Sequence, residues 1–262
     1  MTDASPLLLK REGEVARLCL DRPANLHATT RVMWRAFPGL LAQMEAAAEV
    51  KVVIVQSTTP AAFSCGADTA ERADMIGNPD RARAAVAEAQ AALAALAALT
   101  KPSIALVRGL CVDGGCAIAL ACDLRFANES ARFGITAARH GLLPGYAELR
   151  ALAARVGPAR AADMAFSGRL LTASDAERIG LVEDVWRDDV FDAAAAEYIA
   201  AVCSASQYTV RGAKAMLRAI AGGAAGEPPR LRELGEQAYA GADFREACSA
   251  LAQKRNPAFP WR

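Results

Sequence analysis

Two apolar runs, at 7–10 and 15–20, flank the turn residues Glu12-Gly13-Glu14 and predict an opening hairpin. A helix is expected from Thr30 to Ala48, bent or broken at Pro38, whose ring removes a hydrogen bond from a helix interior. The β-branched run at 52–56 reads as a strand, and the Thr, Pro and Ser residues of 57–65 as the loop after it. An Ala-rich stretch from Pro79 to Leu99 predicts a helix with Val86, Leu93 and Leu96 facing a core, stopped by Pro102. Residues 103–107 read as a second buried strand, running through Arg108-Gly109 into the turn Asp113-Gly114-Gly115. A helix at 116–121 and a strand at 124–127 then complete a strand, crossover, strand unit.

Helices at 158–167 and 173–179 each end on a glycine, Gly168 and Gly180, where a helix C-terminus favours one. Beyond Asp188 the chain reads as mostly helical, with a loop at 222–229 and last helices at 230–240 and 243–254 that could pack on a partner subunit. The expected fold class is α/β, divided into a core domain over 1–200 and a C-terminal helical region over 201–262. No internal repeat is evident.

Composition narrows the function classes. Apolar residues make up 53% of the 262 and charged residues 23%, the balance of a folded domain and not of a disordered chain. The apolar runs fall short of the ~18 residues a membrane span needs, and the first residues, Met1 to Ser5, carry no export signal, so a cytoplasmic protein is expected. A net charge of +1 provides no global field for nucleic acid or an anionic membrane. The seven cysteines lack metal-type spacing and read as reduced, mostly buried thiols, so no metal site is expected.

Chemistry concentrates where strands give way to small residues: Phe63-Ser64-Cys65-Gly66-Ala67-Asp68, and 109–116 with its Gly114-Gly115 pair. In an open α/β sheet, ligands favour the carboxyl ends of strands. A Gly-Gly pair opening a helix lets a ligand approach the backbone and points unpaired N–H groups at an anion. The alternative is a tight turn that only packs a helix on a sheet. Neither the dinucleotide nor the phosphate-loop glycine pattern is present.

These segments resemble the two signatures of the crotonase superfamily, the enoyl-CoA hydratase/isomerase family. The similarity continues through Arg132-Phe133-Gly134, Gly141-Leu142-Leu143-Pro144-Gly145, Ser167-Gly168-Arg169 and 176–182, and returns at Phe244-Arg245-Glu246 and 254–257. The resemblance implies a spiral of ββα turns in two sheets, with a helical C-terminal region, assembled as a trimer or pair of trimers. It implies an acyl-CoA or enoyl-CoA thioester as substrate, coenzyme A being part of that substrate, with no prosthetic group. The family's oxyanion hole falls on the backbone N–H groups of Cys65 and Gly114. Ala24, Asn25 and Leu26, with Gly66, Ala67 and Asp68, would line the coenzyme; Arg22 and Lys254 are candidates for its phosphates, or ordinary surface charges.

One departure limits the expectation. The two positions at which the family's hydratases carry glutamates hold Ala117 and Ala137. A positioned acid or base contributes ~10²–10⁴-fold, so hydration by the usual route should be crippled. Glu148, Tyr146, His140 and Asp113 lie near the same cavity as substitutes, with Glu148 first; its alternative role is a first-turn carboxylate on a helix dipole. Three functions stay open: a hydratase/isomerase-type enzyme with another proton carrier, an acyl-CoA-binding protein with little turnover, and a crotonase-like decarboxylase, hydrolase or lyase.

Overall fold

A computed structural model describes residues 6–259; Met1 to Ser5, on which the expected absence of an export signal rests, lie outside the described residues. Strands β1 (Leu7–Glu12) and β2 (Val15–Leu20) form the antiparallel hairpin, with Gly13 taking the positive φ its turn requires. A 3-10 turn (Pro23–Asn25) leads to α1 (Arg31–Ala46), capped by the Thr30 side chain, which accepts the Met33 N–H. Pro38 does not break α1. Met33, Trp34, Phe37, Leu41 and Met44 on one face are buried, and that packing outweighs the single hydrogen bond the ring removes.

Then follow β3 (Val52–Ser57), β4 (Ala62–Ser64), α2 (Thr69–Ala73) and α3 (Pro79–Ala98). In α3 Leu96 is buried but Val86 faces solvent, contrary to the expected core face. Next come β5 (Ser103–Val107), β6 (Leu110–Val112), α4 (Gly114–Ala121), β7 (Leu124–Asn128) and β8 (Arg132–Gly134). A second 3-10 turn (Ala137–His140) precedes α5 (Tyr146–Val156), α6 (Pro158–Ser167), β9 (Leu171–Thr172), α7 (Ala173–Arg178) and β10 (Asp184–Trp186). The chain ends in α8 (Phe191–Ser204), α9 (Gln207–Ala221), α10 (Pro229–Ala238) and α11 (Ala242–Ala252). The expected boundary at 200/201 falls inside α8, which runs through it unbroken.

Two sheets result. The larger has the order β1-β2-β3-β5-β7-β10, parallel except for the hairpin, and the smaller has the order β4-β6-β8-β9. Each pass of the chain therefore gives one strand to the large sheet and one to the small, as in β3 then β4, β5 then β6, and β7 then β8. The strand, crossover, strand unit is real: β5 and β7 pair in parallel across α4.

Buried charge ties the helical end to the sheets. Arg125 is wholly buried, ion-paired to Glu183 and donating to the carbonyls of Leu181 and Cys122. Lys214 of α9 reaches Asp123 at 2.6 Å and the Lys101 carbonyl at 2.7 Å. Lys101 donates in turn to the Met44 and Ala47 carbonyls, and Lys51 to the Cys203 carbonyl of α8. Each cation is hydrogen-bonded, the condition under which burial of charge is tolerated.

Candidate active site

The two signature turns meet because both follow strands of the small sheet, where β4 and β6 are parallel neighbours. Their approach is close enough to demand glycine. A Cβ on Gly115 would lie 2.6 Å from the Ser64 carbonyl oxygen, and one on Gly114 would lie 3.9 Å from the Gly66 Cα. Thr29 Oγ1 and the Trp34 ring would stand 3.1 and 3.3 Å from that second Cβ, and so form the floor under Gly114. Gly114-Gly115 thus packs the start of α4 closely against the first signature turn.

Gly114 begins α4, so its N–H has no acceptor inside the helix, and it takes none elsewhere among the described residues. The preceding residue, Asp113, does not cap the helix. Its carboxylate turns away to the Thr136 N–H (2.6 Å) and hydroxyl (2.7 Å) and to Arg72 (3.4 Å). The positive end of α4 is left open at Gly114.

Cys65 is different. Its N–H donates to the Leu26 carbonyl at 3.0 Å and its thiol to the Asn25 carbonyl at 3.4 Å. Only one of the two expected donors is therefore free. Leu26 and His27 are held at φ 49° and 54°, so the segment that occupies the Cys65 amide carries backbone strain. Burial pushes the Cys65 thiol above its ordinary value, which speaks against a nucleophile there.

Ala24 and Asn25 belong to the exposed 3-10 turn and Leu26 ends it, beside Cys65. Gly66 and Ala67 join Thr29 through the Thr29 N–H to Gly66 carbonyl bond at 2.7 Å. Asp68 caps α2, accepting the Ala70 and Glu71 N–H groups, and pairs with Arg22 at 2.9 Å. Arg22 also donates to the Ala28 carbonyl at 2.7 Å. The Arg22 charge is thus matched by Asp68 in this structure. Lys254 is exposed just after α11.

Of the proposed proton carriers, Tyr146 and His140 are exposed. His27 is buried and fully partnered, Nδ1 accepting the Arg22 N–H and Nε2 meeting Thr59 Oγ1. Glu148 stands apart. It lies in the first turn of α5, which packs on α4; Oε2 accepts the Gly145 N–H at 3.4 Å, while Oε1 is buried without a partner. Burial first, then the Asp113 charge, push its carboxyl up to about 7, against the opposing pull of the Gly145 N–H. Sequence reasoning singled out Glu148 but missed the Thr136 and Arg72 partners of Asp113. Ala117 and Ala137, both buried, lie one helical turn after Asp113 and one residue after Thr136. No group of His, Cys, Asp and Glu among the described residues could hold a metal ion, and no helix of theirs is long and apolar enough to cross a membrane.

Known proteins resemble this chain along nearly its full length. The family model described as enoyl-CoA hydratase/isomerase matches residues 10–261. The 2,3-dehydroadipyl-CoA hydratase of Escherichia coli is 34% identical over 267 residues, covering 98% of this chain and 100% of that protein. Among solved structures, an enoyl-CoA hydratase/isomerase family protein from Hyphomonas neptunium superposes with a TM-score of 0.93 at 34% identity, covering 98% of both chains. An enoyl-CoA hydratase/carnitine racemase from Magnetospirillum magneticum gives a TM-score of 0.94 at 28% identity, covering 99% of this chain and 97% of that one. Matched from its first sheet to its last helix, this chain belongs to the enoyl-CoA hydratase/isomerase family.

Proposed function

We propose that the protein binds an acyl-CoA or enoyl-CoA thioester and moves a proton at the carbon next to its carbonyl, with Glu148 as the carrier. The observation that carries this reading is the uncapped start of α4 together with Glu148, on the helix packed against α4, whose Oε1 is buried without a partner. The Gly114 N–H donates to the thioester oxygen as it gains charge. The Cys65 N–H joins it once the ligand oxygen replaces the Leu26 carbonyl. An oxyanion donor is worth ~2.7–4 kcal/mol, so two make an enolate accessible. Glu148, with a proton affinity near neutrality, takes the α-proton as carboxylate and returns it as acid.

One carrier suits a 1,3-shift of a double bond, in which the same group removes and redelivers a proton. Hydration needs a second group to activate water, and Ala117 and Ala137 offer none. The coenzyme would lie along Ala24, Asn25 and Leu26 and along Gly66, Ala67 and Asp68, with Lys254 toward its phosphates and Arg22 acting through Asp68. A trimer or pair of trimers and residence in the cytoplasm belong to the same proposal. A second reading, an acyl-CoA binder with little turnover, draws support from the Cys65 N–H being held by Leu26.

A panel of acyl-CoA and enoyl-CoA esters in D2O separates these readings. Binding with α-deuterium uptake and slow hydration of crotonyl-CoA is the expected result. Binding without deuterium uptake favours the silent binder, brisk hydration refutes the account of the two alanines, and no binding refutes the proposal.

A further inference from the structure

His27 is fully buried and titratable, and it has no part in the reaction proposed above. It sits in the turn between β2 and α1, where two adjacent residues that carry side chains, Leu26 and His27, both take left-handed backbone, at φ 49° and 54°. That conformation costs each of them, so the turn persists only because its surroundings hold it. The backbone supplies part of the hold. The Arg22 carbonyl accepts the Asn25 N–H at 3.0 Å and the His27 N–H at 2.9 Å, and the Asn25 carbonyl accepts the Ala28 N–H at 3.0 Å. The imidazole supplies the rest: Nδ1 accepts the Arg22 N–H at 3.0 Å, and Nε2 meets Thr59 Oγ1 at 2.8 Å.

A backbone N–H can only donate, so Nδ1 carries no proton and the ring is the neutral tautomer with its proton on Nε2, directed at Thr59. A second proton could go only to Nδ1, where it would face the Arg22 N–H, donor against donor. The turn closed by this contact bears Ala24, Asn25 and Leu26, and its carbonyls reach Cys65. Leu26 takes the Cys65 N–H at 3.0 Å and Asn25 takes the thiol at 3.4 Å.

We infer that His27 is a positioning residue, a proton-sensitive latch on the coenzyme-lining turn: as neutral imidazole it fixes residues 22–28 against Cys65, and protonation of Nδ1 releases them and weakens coenzyme binding. The inference deepens the thioester reading proposed above and rests on it for the ligand. The charged groups around the ring are engaged elsewhere. The Arg22 guanidinium lies on the Ala28 carbonyl and on Asp68, at 2.7 and 2.9 Å, and Asp21 accepts the Thr58 hydroxyl at 2.7 Å. Arg108, which lines the same cleft as Thr59, pairs with Asp192 at 2.6 Å. Burial holds the proton affinity of the ring below its ordinary value, against the opposing pull of the Asp21 charge. The latch is therefore shut at neutral pH and opens on acidification.

The test has a ligand-free arm and a binding arm, both on the intact protein. In 15N NMR at about pH 8, the His27 Nδ1 should resonate as an unprotonated nitrogen and Nε2 as a protonated one. Thr59→Val removes the partner that selects this tautomer and should speed amide exchange at Arg22 and Cys65 by about tenfold. His27→Asn keeps an acceptor for Arg22 and tolerates left-handed backbone but takes up no proton, so its exchange should stay near native. In the binding arm, the native protein should lose about three- to tenfold in affinity for coenzyme A as pH falls through the His27 midpoint. His27→Asn should lose only what ionisation of the ligand's own phosphates imposes on both proteins. A protonated Nδ1 in the first spectrum, unchanged exchange in Thr59→Val, or the same pH dependence in both proteins overturns the inference. Absence of coenzyme A binding at every pH would instead refute the thioester reading; the latch then stands or falls on the tautomer and the exchange rates.

Discussion

Burial and the Gly145 N–H pull the Glu148 proton in opposite directions, and burial prevails, lifting the carboxyl from 4.5 to about 7. The folded chain therefore holds this proton more tightly than the unfolded chain. The associated stability is fully present below pH 4.5 and is lost as pH rises through 7, a change of roughly 3 kcal/mol. Glu148→Gln has no proton to lose, so its urea-derived stability should fall less than that of the native protein between pH 5 and pH 8. An equal fall in both would mean that the carboxyl is well solvated. On a thioester that turns over, the same variant should lose about 10²–10⁴-fold in kcat with little change in affinity. Its place after Leu143-Pro144-Gly145 singled Glu148 out as a candidate. The engagement of Arg22 by Asp68 was not legible, because an ion pair between distant segments leaves no local pattern.

The turns show why some elements were readable and others were not. The hairpin, α3 and the β5 to β7 unit carry long apolar patterns and match their expected positions within a residue or two. Strands β4, β6, β8 and β9 have two or three residues each, too short for any periodicity, yet they build the small sheet from which both turns spring. Glycines there answer to neighbours that only the fold supplies. Gly115→Ala would set a Cβ against the Ser64 backbone and should destabilise the protein by about 1–3 kcal/mol in chemical denaturation. Gly13→Ala meets nothing within 4 Å and strains only its φ of 58°, so the smaller loss should be there. A larger loss at Gly13 would contradict the close approach of the two signature turns.

Across the whole molecule the two sheets and the C-terminal helices are joined by apolar packing and by cations placed inside it. Arg125 illustrates the latter: with its guanidinium removed, Glu183 and the Leu181 and Cys122 carbonyls lose their shared donor. Arg125→Ala should lower stability by about 3 kcal/mol or more, and Arg125→Met by less, since its bulk fills the space. Chemical denaturation of both variants checks the ranking; equal losses would assign the effect to charge alone. Composition indicated only that charges of the two signs nearly balance, and which of them lie inside follows from the topology.

The chain has five lysines, of which Lys51, Lys101 and Lys214 are buried with their amines on carbonyl oxygens, while Lys10 and Lys254 are exposed. Nearly all of the outward positive charge is carried by arginine, whose guanidinium is a poor target for acyl electrophiles. Activated esters drifting past the folded protein would thus meet few side-chain nucleophiles, and spontaneous Nε-acylation should map to the two outer positions until unfolding uncovers the rest.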